Sequence, residues 1–254
     1  MTFWTVNADP NQAQTYGLTA LPEACVGPSD RQFFMGGVAL AATIETFERA
    51  FEKPLLWTTI QFLSHGMRGD DIQIELEAVG GGRSIQQAAA RISTVDRVLQ
   101  TAMAALGARS HPFQADFVKC PDALAPLDCP EKPMDAFAQA GNLLDQFERR
   151  VAYQDDATGT EYLWLRPKFE CEISASLLAL MADFFLGAHS QTQGGTSLDN
   201  TFRVQAIKPT EWVLNAVQLS SISNGVVHGT VHQFSESGNL LAIGSQTGLL
   251  PRAK

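Results

Sequence analysis

One pattern of residues occurs twice in this chain, and it constrains the fold more than any other feature. In the first half, Leu40, Ile44, Phe47 and Phe51 recur at three- and four-residue steps. That spacing predicts a helix with one buried face over 38–51, and Pro54 stops it. Four strand-like runs follow: Leu55 to Ser64, Asp71 to Val79, Ser84 to Thr94 and Val98 to Leu106. Turn residues separate them at 66–70, 80–82 and 95–97. In the second half Ser174 and Ser176 are candidate caps for an apolar helix carrying Leu177, Leu180, Met181, Phe184 and Phe185. Four runs follow again: Ser197 to Ala206, Glu211 to Ser220, Val226 to Ser235 and Asn239 to Leu250. Asp71-Ile72 corresponds to Glu211-Trp212, an offset of 211 − 71 = 140, and Val98-Leu99 to Leu240-Leu241, an offset of 240 − 98 = 142. A helix followed by four antiparallel strands, repeated at near-constant spacing, predicts a duplication.

The pieces suggest an α+β fold of two tandem units, each a long helix laid in the concavity of a curved antiparallel sheet. A single unit would leave a sheet edge unpaired, and two units joined edge to edge remove it. The expected organisation is a first unit over 1–110, a connector over 111–142 and a second unit over 143–254. The connector holds Pro112, Pro121, Pro126, Pro130 and Pro133 of the twelve prolines, which argues for irregular structure, with a short helix over Met134 to Asn142. Gln146 to Tyr153 and Thr160 to Leu165 read as a hairpin opening the second unit. Tyr16 to Val26 would open the first.

Composition excludes several roles. A net charge of −9 disfavours nucleic acid or an anionic membrane as a partner. No run of 18 apolar residues occurs, and the first ten residues lack a basic, then apolar leader, so a cytoplasmic location is expected. The four cysteines form no Cys-x-x-Cys pair and the five histidines no His-Glu-x-x-His pattern, so no metal is expected. There is no Gly-x-Ser-x-Gly nucleophile motif.

Several stretches resemble a known family. They are Arg31-Gln32-Phe33-Phe34-Met35-Gly36-Gly37-Val38-Ala39 and Gly81-Gly82-Arg83-Ser84 in the first half. In the second half they are Leu180-Met181-Ala182-Asp183-Phe184-Phe185, Thr196-Ser197-Leu198-Asp199-Asn200-Thr201-Phe202 and Ser245-Gln246-Thr247-Gly248-Leu249-Leu250. Their order and spacing resemble the bacterial and peroxisomal acyl-CoA thioesterase II family, whose TesB-like members have a double-hotdog fold. The resemblance implies hydrolysis of acyl-CoA by a water that an Asp, a Thr or Ser, and a Gln position. Carried over, those are Asp183, Ser197 and Gln246. The family's usual Thr is Ser197 here, which keeps the hydroxyl, and its usual His is Asn200. The resemblance implies acyl-CoA as substrate, no cofactor, and a possible homodimer or higher assembly.

The residues themselves fit such chemistry. Asp183 is the only charged residue between Ser174 and Gly187, and burial would raise its pKa toward that of a useful general base. The plainer alternative is a surface Asp on a helix's polar side. Gln246 shares a strand face with Gly244 and Gly248, which leaves room for a substrate or another backbone. Ser197 opens its strand. Gly36-Gly37 could bring backbone N–H groups to a carbonyl oxygen. At the corresponding places the first unit has Thr43 (183 − 43 = 140) and Ala104 (246 − 104 = 142), so one site per chain is expected. Arg203, Lys208 and Arg252 are candidates for CoA phosphates. Two rival readings are a hotdog enoyl-CoA hydratase or dehydratase, which lacks its Asp-x-Asn-Pro-x-x-His-like run here, and a non-catalytic acyl-CoA-binding protein.

Overall fold

The computed structural model describes residues 2–133 and 139–252. The first half comprises β1 (Asn7–Ala8), β2 (Thr15–Thr19), β3 (Cys25–Val26), β4 (Phe33–Phe34), α1 (Gly36–Phe51), β5 (Leu55–Phe62), β6 (Asp71–Gly81), β7 (Ile85–Ser93) and β8 (Val98–Gly107). The second comprises β9 (Phe147–Asp155), β10 (Thr160–Pro167), α2 (Ala175–Ala182), β11 (Thr196–Val204), β12 (Val213–Ser223), β13 (Val226–Ser235) and β14 (Leu240–Leu249). All but β3 and β4 belong to one antiparallel sheet of 12 strands, in the order β1-β2-β6-β7-β8-β5-β11-β14-β13-β12-β10-β9. Read outward from the centre, each half runs helix-following strand, last strand, third, second, then the opening hairpin. These are the two tandem units expected from the repeat, in the double-hotdog arrangement that the resemblance implies.

The halves meet where β5 pairs with β11. Thr59 lies opposite Thr201 and their hydroxyls are 2.9 Å apart, at a sequence separation of 142. That separation is also the offset between the repeats. Thr59 and Thr201 are therefore equivalent residues facing each other, as on the axis of an isologous dimer.

The helices pack against each other inside the curved sheet. Leu40, Ile44 and Phe47 of α1 are fully buried, as their spacing predicts. Ala39, Ala41 and Ala42 are buried as well, because α1 has α2 on a second side. Every residue of α2 is buried, which explains why its sequence carries no polar stripe.

The second helix departs from the expected length. It is regular only over Ala175–Ala182 and continues as a 3-10 turn over Asp183–Ala188. Ser174 caps its start, accepting from Leu177 N–H at 3.2 Å, whereas Ser176 is a buried helix residue. At its end, a sheet amide takes a carbonyl that a longer helix would use: Asn215 Nδ2 donates to Met181 O at 2.6 Å. Gln233 Nε2 adds a bond to Leu178 O within the helix at 2.9 Å.

Two further expectations need correction. Tyr16 to Val26 is not one hairpin. Pro22 starts a 3-10 turn over Pro22–Ala24, and Cys25–Val26 pairs with Phe33–Phe34 in a separate ribbon. The short helix expected over 134–142 falls mostly outside the described residues; Leu143–Gln146 forms a 3-10 turn capped by Asn142. The connector itself covers the outer edge of β9: Val151 N–H donates to Pro130 O at 2.9 Å, and Lys132 N–H to Arg149 O at 2.8 Å. Among the described residues no helix is long and apolar enough to cross a membrane.

Removing the largest side chain that α1 buries tests this packing. Phe47→Ala should lower unfolding free energy by roughly 3–5 kcal/mol, read as a drop in the urea midpoint with little change in slope.

Candidate active site

Asp183 is the first residue beyond the regular part of α2, so its carboxyl group sits at a helix C-terminus. That end of a helix repels an anion. The start of α1 lies opposite and supplies the compensation. Met35 precedes α1 without a side-chain cap, so the first N–H groups of the helix have no intrahelical partner. One of them, the Gly37 N–H, donates to the Asp183 carboxyl group. The approach is as close as glycine permits. A Cβ on Gly37 would stand 2.7 Å from Asp183 Cβ and 3.0 Å from Leu180 O.

The other partners of Asp183 come from β11 and β14. Asn200 and Gln246 face each other across these strands. Gln246 Nε2 donates to Asp183 Oδ1 at 2.7 Å and to Ser197 Oγ at 2.6 Å, and Asn200 Nδ2 donates to Asp183 Oδ1 at 3.4 Å. Residues three apart on a regular strand face opposite ways. Ser197 and Asn200 reach the same cluster because the pairing is irregular between Ser197 and Asp199, which leaves Leu198 unpaired. Such a bulge re-aims the side chains that follow it.

The structure therefore brings Asp183, Ser197 and Gln246 together. It adds Asn200 and Gly37, whose parts the sequence reading missed. Asn200 was legible as a departure from the family's His, and its role depends on the bulge. Gly36-Gly37 was singled out for close approach, but Gly37 spends its N–H on the carboxyl group. The space beside Gln246 is also differently used. A Cβ on Gly244 would meet Val231 Cγ1 at 2.6 Å, and one on Gly248 would meet Leu186 Cδ2 at 2.7 Å. Those glycines admit the protein's own side chains, not a ligand.

Burial governs the electrostatics. Asp183 is 7% exposed, Gln246 4% and Asn200 1%. Desolvation pushes the Asp183 pKa up to about 6, against the hydrogen bonds from Gln246, Gly37 and Asn200, which hold it down. The folded carboxyl thus holds its proton more tightly than the unfolded one. Above pH 6 the ionised group opposes folding by on the order of 3 kcal/mol, and that opposition fades as pH falls through 6 toward 4.

A cavity of about 420 Å³ opens at this cluster. Asp183, Ser197, Leu186 and Gly195 line it from the second half, and Phe34, Gly36, Phe62 and Gln100 from the first. Lys132 of the connector also lines it. Its ammonium pairs with the fully buried Glu161 and donates to Gly187 O at 2.8 Å, tying the connector to the turn that carries Asp183. Nothing in the local sequence around Lys132 announces this contact. Arg203, Lys208 and Arg252, the candidates for CoA phosphates, do not line the cavity; Lys208 bonds Asn239 Oδ1 at 2.7 Å.

The first half repeats the scaffold without the polar cluster. Its bulge lies between Leu55 and Trp57, at the same offset of 142 from Ser197 and Asp199. Leu55, Thr58 and Ala104 stand where Ser197, Asn200 and Gln246 stand, and all three are buried. Thr43 turns its hydroxyl back onto Ala39 O at 2.8 Å within α1.

Comparison with known proteins agrees with this architecture. Residues 126–250 match the family model described as the acyl-CoA thioesterase C-terminal domain. The chain is similar in structure to a candidate thioesterase from Novosphingobium aromaticivorans DSM 12444, at 27% identity over 96% of this chain and 100% of that one, with a TM-score of 0.89. It is similar to a conserved protein with a hot dog fold from Alicyclobacillus acidocaldarius, at 19% identity over 99% of this chain and 97% of that one, with a TM-score of 0.85. It is also similar to the acyl-CoA thioesterase II TesB2 of Mycobacterium marinum, at 16% identity over 99% and 98% of the two chains, with a TM-score of 0.79. At 19% and 16% identity the last two show the fold alone. The comparison with curated proteins gives no match. The second half of the chain thus matches the acyl-CoA thioesterase C-terminal domain, and the chain as a whole is similar in structure to double-hotdog thioesterases.

Proposed function

We propose that the chain hydrolyses acyl-CoA thioesters with a water activated by Asp183 and held by Ser197 and Gln246. One observation carries this reading: an ionisable carboxyl group, an amide and a hydroxyl form one hydrogen-bonded chain at the end of an apolar cavity. Gln246 Nε2 donates to both neighbours, so the Ser197 hydroxyl receives that bond and keeps its own proton to donate. A water placed there accepts from Ser197 and donates to Asp183. As it attacks the thioester carbon, its proton passes to the carboxylate, and the carbonyl oxygen becomes an oxyanion. The Gly36 N–H, at the start of α1 and on the cavity wall, is the donor for that oxyanion. When the tetrahedral intermediate collapses, the C–S bond breaks. The sulfur leaves with the electron pair and takes the proton from Asp183.

The raised pKa serves this cycle, because a group that titrates near 6 is ionised at neutral pH yet accepts a proton readily. A dehydratase reading lacks its partner group. Among the described residues no His bonds Asp183, and His65, which lines the cavity, is stacked edge-on against Phe33 instead.

Three measurements test the proposal. In folded protein, Asp183→Asn and Gln246→Ala should each slow CoA release at least about a hundredfold; near-wild-type rates in both would eliminate the trio. The acid limb of kcat/KM should have an apparent pKa of about 6, with activity lost below it. Removing a donor to the carboxylate by Asn200→Ala should move that limb to higher pH; a limb that stays put or moves down would detach Asp183 from the titration. Gly37→Ala forces a Cβ into Asp183 and Leu180, so it should lower stability by about 1–3 kcal/mol and activity at least about tenfold. Melting curves and CoA-release assays on the same preparation check both effects.

A further inference from the structure

A polar group buried in an apolar wall is costly unless it is bonded. Among the described residues, five buried side-chain oxygens have no partner, on Gln100, Glu161, Asn200, Gln233 and Gln246. Four of these side chains bond through another atom. Glu161 pairs with Lys132, Asn200 and Gln246 reach Asp183, and Gln233 reaches Leu178 O and Asn215. Gln100 has no side-chain hydrogen bond among the described residues, and it is only 3% exposed.

Its position gives that amide a use. Strand alternation on β8 places Gln100 on one face with Ala102 and Ala104, both buried. Its neighbours across the sheet are Phe62 and Ile92. Gln100 lines the same cavity as Asp183 and Ser197. Phe62 stands close to the carboxyl group: a Cβ on Gly36 would lie 2.7 Å from the Phe62 ring and 3.3 Å from Asp183 Oδ2. An acyl chain that runs from Asp183 along Phe62 comes to Gln100, the cross-strand neighbour of Phe62 on the same cavity wall. The cavity is lined mainly by apolar groups, Val26, Phe34 and Phe62 among them, which suits a hydrocarbon, with Lys132 and Arg149 also on its wall.

The geometry points to Gln100 as a specificity residue that recognises a hydroxyl group on the acyl chain. This rests on the thioesterase reading above. An amide offers a donor and an acceptor in one plane, and a hydroxyl can answer either. A charged substituent would need an opposite charge, which Gln100 does not provide. A site built to bond a substrate hydroxyl discriminates against the analogue that lacks it, because its own polar group is then left unpaired.

The test compares octanoyl-CoA with octanoyl-CoAs carrying one hydroxyl at each carbon from 3 to 8, on wild type, Gln100→Leu and Gln100→Met. In the wild type at least one hydroxylated isomer should exceed octanoyl-CoA in kcat/KM by about tenfold. In both variants that ratio should fall to about one. The thermal midpoint of Gln100→Leu should not drop, since the change removes an unbonded amide. Absence of any preferred isomer in the wild type, or a preference that survives in both variants, would overturn the inference. So would an equal loss on every substrate, which would assign Gln100 to the pantetheine arm they share. If the wild type released CoA from none of these esters, the thioesterase reading itself would fall, and this inference with it.

Discussion

The rest of the structure is arranged around one carboxyl group held between two helix ends. Asp183 closes α2 and faces the start of α1, and a single backbone N–H from Gly37 spans the gap. Neither half of the chain provides this alone. The end of α2 is a poor place for an anion, and the start of α1 is a good one. Packing the two helices side by side brings these ends together. The close contact requires glycine at 37, an apolar α2 and small residues on the facing side of α1. Burial then raises the pKa, and the sheet amides limit how far it rises.

The duplication lets one copy carry the Asp183 cluster while the other keeps ordinary packing at the same places. Both halves keep the bulge and the strand order. In the second half the bulge aims Ser197 and Asn200 at Asp183. In the first half the matching positions hold Leu55 and Thr58, which fill core. The first half gives instead the start of its helix and the wall that contains Phe62 and Gln100. The destabilising burial of an ionised Asp183 is thus carried by a scaffold whose other repeat is ordinary apolar packing, in keeping with the strain that functional sites impose elsewhere.

Much of this was legible in the sequence, for physical reasons. The period of three and four in α1 and the alternating runs of the strands reflect burial, so they survive as pattern. The strand starts and ends agree to within a few residues. Asp183 stood out because a lone charge in an apolar run demands a partner. What escaped was whatever depends on pairing across the fold. At the early end of α2, Asn215, more than thirty residues later, takes the Met181 carbonyl that a longer helix would use. The role of Asn200 depends on a bulge two residues before it. The glycines flanking Gln246 looked like room for a ligand, and Val231 and Leu186 fill it. Lys132 enters the cavity wall from a connector whose composition speaks only of irregularity.

The paired threonines at the centre of the sheet carry a consequence for how such a protein can change. In an assembly of two identical chains, every substitution is made twice, and a residue on the dyad meets its own copy. Here Thr59 and Thr201 are encoded separately, so each side of the seam drifts by itself. Covalent continuity also keeps the halves together at any dilution. Asymmetry of the kind seen between Ala104 and Gln246 is open to a tandem chain and closed to a symmetric pair.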